Sequence, residues 1–432
     1  MRDIKELIRH FVVYLLTLEA KAVLKKYHPK QLLVTGSVGK TTTKDAAYAA
    51  IASAHFVRRS EKSYNSDVGV PLTILGLPNG WNNPFRWLMN LIEGFALLIL
   101  NAPYPEWLVL EVGADRPGEI RMLHWLTPDA VIATRFPDVS VHVEFYDSPR
   151  AVIEEELSPV WWLKEGGVAV LNADDPHAAE AETKSGVRRL TYGFDKSADI
   201  RGSRVRTTTA KKMPTGLSFD VSYGDERASV TLSSVMGMGH VAAALGGIAA
   251  AVAIGVPFQT AVRAFAGYRT PPGRMRVIPG MRGSVLIDDT YNASPAAAEK
   301  ALEALAAAPR TGKRIAVLAD MLELGEFSAS EHRRIGALAA ASADILITCG
   351  VRARGIAESA RAAGMPEDAV FAYERGPDAA ARLVAIIAEG DVVLIKGSQS
   401  MRMERVVKAA MAEPKKAEEL LCRQDTEWLL RS

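Results

Sequence analysis

The segment Gly36-Ser37-Val38-Gly39-Lys40-Thr41-Thr42 carries the densest chemistry in the sequence. An apolar strand, Gln31–Thr35, precedes it, and a helix from about Lys40 to Ala54 follows. Glycines let such a loop curl so that successive N–H groups face phosphate oxygens. The helix N-terminus adds partial positive charge. Lys40 has the reach to meet β/γ-phosphates, and the Thr41 hydroxyl suits Mg²⁺. These are the requirements of phosphoryl transfer from a nucleotide. The common spacing wants a glycine five residues ahead of Gly39, but Val34 stands there, so the loop is a shortened variant. A chance glycine turn is the alternative, and the strand-loop-helix context argues against it. Glu111 closes another apolar run, where open α/β sheets place their ligands.

The elements that must hold these residues follow an alternating pattern. Ile4, Leu7, Ile8, Phe11, Leu15, Leu18 and Ala22 recur at helical spacing, which predicts an amphipathic helix within 1–30. His28-Pro29 ends it. Strands are expected at Trp107–Val112, Asp129–Thr134 and Val168–Leu171, with helices between them. Residues 198–235 are rich in Thr, Ser, Val and Gly and predict a β-hairpin insertion. The run Tyr268-Arg-Thr-Pro-Pro-Gly273 interrupts helix and strand alike and is the expected hinge. Strands beyond it are expected at Ser284–Asp288, Arg314–Leu318, Ile345–Thr348, Val370–Ala372 and Val392–Ile395. The fold class is α/β. A central phosphate-loop domain with a parallel sheet and a β insertion (31–270) is followed by a C-terminal Rossmann-like doubly wound domain (271–412). A charged helical tail (413–432) ends in Trp428-Leu429-Leu430.

Composition sets the outer limits. The chain has 432 residues, 48% of them hydrophobic and 24% charged, which excludes wholesale disorder. Lys plus Arg is 52 against 50 for Asp plus Glu, so no basic excess points to nucleic acid. Two cysteines, Cys349 and Cys422, cannot form a disulfide framework and fit a reducing compartment. The start lacks a secretory signal pattern, and the longest apolar stretch, Trp87–Leu100, is too short to span a bilayer. A cytoplasmic, monomeric enzyme is expected.

Further motifs follow the loop in order. They are Asn65-Ser66-Asp67 with Gly69-Val70-Pro71-Leu72-Thr73, Glu111-Val112-Gly113-Ala114 with Gly118-Glu119-Ile120, His142-Val143-Glu144-Phe145, and Asn172-Ala173-Asp174-Asp175. Then come Gly273-Arg274-Met275, Asp288-Asp289-Thr290-Tyr291-Asn292-Ala293-Ser294-Pro295, Asp320-Met321-Leu322-Glu323-Leu324-Gly325 with His332, and Lys396-Gly397-Ser398. With the shortened loop, this series resembles the Mur ligases, the ATP-dependent amide-forming enzymes of peptidoglycan precursor synthesis. The pattern looks most like the branch that adds D-alanyl-D-alanine to a muramoyl-tripeptide through an acyl phosphate.

The resemblance implies ATP and Mg²⁺ as cofactors, and a muropeptide precursor and D-Ala-D-Ala as small-molecule partners. It implies Thr41, Glu111 and His142 as magnesium ligands, and Lys40 on the transferred phosphate. Arg274 would clamp phosphate from the second unit, Asp289 would face the ribose, and His240 would lie near the nucleotide. Asn65, Tyr291, Asn292 and Lys396 would line the substrate side. Domain closure across the hinge is implied as well.

The sequence departs from the family in three places. A family lysine that carbon dioxide converts to a carbamate aligns with Glu156, in Glu154-Glu155-Glu156. Either Glu156 supplies that carboxylate directly, or the run is a solvated helix face or a one-turn register slip. The family's two asparagines after the histidine, the second of them used near adenine, align with Val241 and Ala244. Only 35 residues precede Gly36, so the usual UDP-holding front domain has no counterpart in the sequence. The helix of residues 4–22 and the segment Phe85–Leu100 stand there instead. They either pack together as core or form an interfacial surface in peripheral contact with a membrane. Two rival functions stay open: another Mur-type amide ligase (polyglutamate-forming or acting on a lipid-linked substrate), and a nucleotide-binding regulator without ligation.

Overall fold

Two sheets carry the chain. The computed structural model describes residues 2–60 and 64–429, with side chains from Arg9 onward. Ile4, Leu7 and Ile8 of the expected stripe, and Leu430 of the tail, fall outside those limits. The first sheet has nine strands. They are β1 (Lys30–Thr35), β2 (Val57–Arg59), β3 (Trp107–Glu111), β4 (Ala130–Ala133), β5 (Val168–Asn172), β6 (Arg188–Gly193), β7 (Ile200–Ala210), β8 (Met213–Tyr223) and β9 (Glu226–Ser233). Their order is β2-β3-β1-β4-β5-β6-β7-β8-β9. Pairing is parallel through β7, and the two last strands add on antiparallel. Parallel strands are covered on both faces and so read as unbroken apolar runs. Accordingly β3, β4 and β5 are buried throughout, and β1 is buried beyond Lys30.

The second sheet holds β10 (Arg276–Pro279), β11 (Val285–Asp289), β12 (Arg314–Ala319), β13 (Ile345–Cys349), β14 (Val370–Tyr373) and β15 (Val392–Lys396). Its order is β10-β11-β15-β12-β13-β14, with β10 alone antiparallel to its neighbour. This is the mixed α/β architecture expected. The predicted hairpin insertion is instead a three-strand meander, β7 to β9, that prolongs the first sheet. The predicted tail helix is broken into short turns at Pro414–Lys416, Ala417–Leu420 and Thr426–Leu429.

The helix behind the phosphate loop, Lys40–Ile51, lies against the helix Met238–Ala253, apolar but for His240. The approach is close: a Cβ on Gly247 would stand 2.6 Å from the Ala46 carbonyl carbon. Glycine at that point lets the second helix press the loop helix into the sheet.

Helix Arg2–Tyr27 packs on helix Pro84–Ile99. Leu16, Ala20 and Val23 join the core over β1 and β3. Lys26 Nζ donates to the Leu97 and Leu98 carbonyls at 3.0 and 3.2 Å, and the Tyr27 hydroxyl donates to Leu97 O at 3.1 Å. The core reading therefore holds for the inner faces, while Phe85, Leu88, Ile92, Phe95 and Ile99 remain exposed. Among the described residues, no helix is long and apolar enough to cross a membrane.

Candidate active site

β1 ends at Thr35 and delivers the glycine loop to the carboxyl edge of the sheet. Gly36 (φ 126°) and Gly39 (φ 92°) occupy backbone conformations that side chains resist, so the turn depends on them. The Ser37 and Val38 N–H groups do not face an open phosphate position as expected. They donate to Arg135 O at 2.9 and 3.1 Å, which pins the loop to the end of β4. The first intrahelical bond is Thr43 N to Gly39 O at 2.9 Å. The orphan donors at the head of the helix are thus the N–H groups of Gly39, Lys40, Thr41 and Thr42. These four form the anion cradle.

Lys40 is held on two sides. Its ammonium donates to Gly36 O and, at 3.0 Å, to Glu156 Oε1. Glu156 is only 3% exposed, and its other oxygen accepts from the Ser37 hydroxyl. The acidic run divides its labour. Glu154 is solvated and pairs with Arg150 at 2.8 Å. Glu155 accepts from the Gly118 and Ile120 N–H groups at 2.8 and 3.1 Å. Glu156 turns inward to the loop.

Thr41 and Glu111 meet at the ends of neighbouring elements, with Oγ1 donating to Oε1 at 3.1 Å. Glu111 Oε2 is buried without a hydrogen bond. Lys44, fully buried one helical turn after Lys40, stands 3.9 Å from that oxygen and donates to Ser60 O at 2.8 Å. Sequence reasoning missed Lys44, although its position on the Lys40 face of the helix was a usable signal. A Cβ on Gly113 would come within 3.0 Å of both Asn65 Nδ2 and Lys40 Cε, so the family-like Val-Gly-Ala turn leaves room for both side chains.

His142 takes a left-handed backbone (φ 71°), a strained state for a non-glycine residue. Glu111 meets Thr41 and Lys44, whereas His142 meets other acids. Its Nε2 lies 3.3 Å from Asp115 and its Nδ1 lies 2.6 Å from Glu323 of the second unit. The imidazole holds the Glu323 carboxyl below the usual carboxylate range. Of the three magnesium ligands expected, the structure brings Thr41 and Glu111 together and places His142 against Asp115 and Glu323 instead. Among the described residues, no cluster of three His, Cys, Asp or Glu side chains forms a metal cage.

The second unit reaches over through Arg274. Its guanidinium donates to Thr41 Oγ1 at 3.4 Å and stacks on Tyr291 at 4.0 Å. A further arginine of the tail, Arg423, lies over the same ring at 5.2 Å and donates to Thr290 O at 3.0 Å. Asn292 uses its side-chain oxygen on Ala293 N at 2.9 Å.

Two expected ligand contacts are committed elsewhere. Lys396 is not on an open substrate wall. It is buried and donates to Asp289 Oδ2 at 2.6 Å and Asn292 O at 3.0 Å. The parallel register of β11 and β15 sets the two residues side by side. Asp289 gives its other oxygen to Met275 N at 3.2 Å, which leaves little of it for a ribose. Replacing Lys396 by methionine strands a buried carboxylate. We expect a loss of about 3–5 kcal/mol in urea unfolding.

His240 is likewise buried and does not face a ligand. Its Nε2 lies 2.7 Å from Arg274 O, and a carbonyl can only accept, so Nε2 carries the proton. Burial lowers its pKa to about 4. A histidine neutral when folded is charged when unfolded between pH 4 and its usual 6.5. Its contribution therefore falls as pH drops through that window, by about 3 kcal/mol. Buried Asp288, raised to about 6, has the opposite slope over nearly the same range. Comparing the protein with His240→Gln cancels the Asp288 effect. The stability difference between the two chains should shrink by about 3 kcal/mol from pH 7 to pH 4.

Comparison with known proteins points to one family. The pattern described as the Mur ligase middle domain matches residues 90–251, and that of the Mur ligase glutamate ligase domain matches 273–399. A UDP-N-acetylmuramoyl-tripeptide–D-alanyl-D-alanine ligase of Mycobacterium leprae is 30% identical over 397 residues, covering 85% of this chain and 71% of the relative. The enzyme of that name from Bacillus subtilis is 28% identical over 408 residues, covering 91% and 79%. The MurF ligase of Thermotoga maritima in complex with ADP superposes with a TM-score of 0.73 at 25% identity, covering 94% and 84% of the two chains. A MurF of Acinetobacter baumannii shares the fold, with a TM-score of 0.74 at 22% identity over 92% and 79%.

Proposed function

The chain belongs to the Mur ligase family, and we propose that it joins D-alanyl-D-alanine to a muramoyl-tripeptide with ATP, through an acyl phosphate. The observation that carries this reading is the meeting of Thr41 with Glu111 and, from the second unit, with Arg274, next in the chain to Lys40 and its partner Glu156. A reaction between anions needs converging positive charge and fixed geometry. Relatives named for this activity cover most of the chain, which supports the choice of substrates.

The donors at Gly39–Thr42 cradle the nucleotide phosphates. Two of the three Lys40 donors are occupied by Gly36 and Glu156, so the third, its direction set by the other two, is the one left for the transferred group. Arg274 adds a planar cation from across the hinge. The residues fit a magnesium ion at one point: the Thr41 hydroxyl stands beside Glu111, whose second oxygen is buried without a hydrogen bond. A bound Mg²⁺ there neutralises phosphate charge. Glu111 and Thr41 would hold it, with the buried Lys44 ammonium 3.9 Å from the carboxylate. Asn65, beside Gly113 and Lys40, and Tyr291, under Arg274, border the substrate side. A nucleotide-linked precursor and ATP fit a cytoplasmic reaction.

The test is mass spectrometry of a reaction holding the chain, ATP, Mg²⁺, D-Ala-D-Ala and UDP-MurNAc-tripeptide. The expected product is the pentapeptide, with ADP and phosphate released in equal amounts. ADP release only with other amines would move the assignment to a different amide ligase. Nucleotide binding without any acceptor-dependent turnover would leave a regulator.

A further inference from the structure

Helix Pro84–Ile99 is built inside out. Its inward side holds Asn90, which is fully buried and donates to Pro78 O at 2.8 Å. Its two ionisable residues, Arg86 and Glu93, are half-buried and pair with each other at 2.6 Å. Every exposed position on it is apolar: Pro84, Phe85, Leu88, Ile92, Phe95 and Ile99. From Phe85 onward their spacing of three and four residues makes one stripe along the helix. Phe85 is 68% and Ile99 66% exposed, so these are not grazing exposures. The packed neighbour, helix Arg2–Tyr27, repeats the arrangement with Phe11, Tyr14 and Leu18. Large apolar side chains in such rows mark a face that something covers.

Charge says what covers it. Around the apolar centre of the first helix, the remaining exposed positions from 9 to 27 are Arg9, His10, Lys21 and Lys25, with no carboxylate. Arg9 has Asp67 at 4.0 Å, and Lys21 stands 5.5 Å from the Trp125 ring. Glu19, the only acid in that stretch, turns inward, where a Cβ on Gly94 would stand 2.2 Å from its Oε2. Burial pushes its carboxyl up to about 7. A second copy on a two-fold axis would set like-charged rims against each other. An anionic headgroup layer answers the same rims favourably.

We propose that these two helices dock the protein on an anionic lipid bilayer, with the Phe85–Ile99 stripe at the acyl boundary and the basic residues among the headgroups. The proposal does not depend on which amide the enzyme makes.

The test is flotation of the full chain with phosphatidylcholine vesicles, with and without phosphatidylglycerol. The chain should float with the anionic vesicles and be released as salt rises. Leu88→Asn/Ile92→Asn/Phe95→Asn changes only solvent-exposed positions, so its melting temperature should match the parent. Its vesicle partitioning should fall by at least about 50-fold. Lys21→Gln/Lys25→Gln should weaken binding to anionic vesicles by roughly 20-fold and leave neutral vesicles unaffected. A parent chain that stays at the bottom of the gradient overturns the proposal, as does a triple variant that floats equally well. A dimer in sedimentation velocity that the triple variant abolishes, without flotation, assigns the face to a second copy instead.

Discussion

Replacing Lys40 by methionine is expected to lower ATP-dependent amide formation by about 10³-fold or more, the usual range for removing a cation from a phosphoryl-transfer site. Methionine keeps most of the stem volume but removes all three donors. The loop itself should survive, because its backbone is pinned by Arg135 and by the helix behind it. Stability is a separate matter. Lys40 is the cation facing Glu156, which is almost wholly buried. Its loss leaves that carboxylate with the Ser37 hydroxyl, at a cost of about 3 kcal/mol. Lys40→Met/Glu156→Gln removes the stranded charge and should recover most of the stability while recovering none of the activity. ADP release measured beside urea unfolding separates the two effects. A double variant regaining activity along with stability would mean that Lys40 acts only as a counter-ion.

Much of this architecture was legible in the sequence for a physical reason. β1, β3, β4 and β5 are covered on both faces, so each is a short unbroken apolar run. The strands that escaped notice lack that signature. β6 opens with two exposed arginines, β2 is three residues long, and β10 is an antiparallel edge ending in proline. The site divides the same way. The phosphate loop is contiguous, so residue types and spacing suffice to find it. Contacts made by distant segments leave no local trace. Arg274 meets Thr41 across 233 positions, and Lys396 meets Asp289 across 107. His142 faces Glu323 rather than Glu111 because a loop from the second unit packs there, with Gly325 against Glu144. Phosphate-facing roles for the Ser37 and Val38 N–H groups failed on the same ground. Their acceptor, Arg135 O, lies just past the end of β4, about a hundred residues along the chain.

Glu156 is where sequence and geometry combine into the sharpest test of the site. A family member with a carbamylated lysine depends on carbon dioxide for its carboxylate. Here a carboxylate is built in, buried, and 3.0 Å from the Lys40 ammonium. Two consequences follow. The parent enzyme should run at full rate in buffer stripped of carbon dioxide, with no gain on adding bicarbonate. Glu156→Ala should lose about 10²-fold in kcat, because Lys40 keeps only its bond to Gly36 and is free to swing from its set direction. The loss should fall on kcat more than on the KM for ATP, since the cradle of Gly39–Thr42 N–H groups is untouched. Glu156→Lys provides the complement. Its side chain can add carbon dioxide at the neutral amine and release a proton, which restores a carboxylate near the same place. That variant should be nearly inactive in stripped buffer and recover at least tenfold with bicarbonate. An alanine variant at full activity under saturating Mg²⁺ would instead reduce Glu156 to a packing partner of Ser37, and Lys40 would need no carboxylate to aim it.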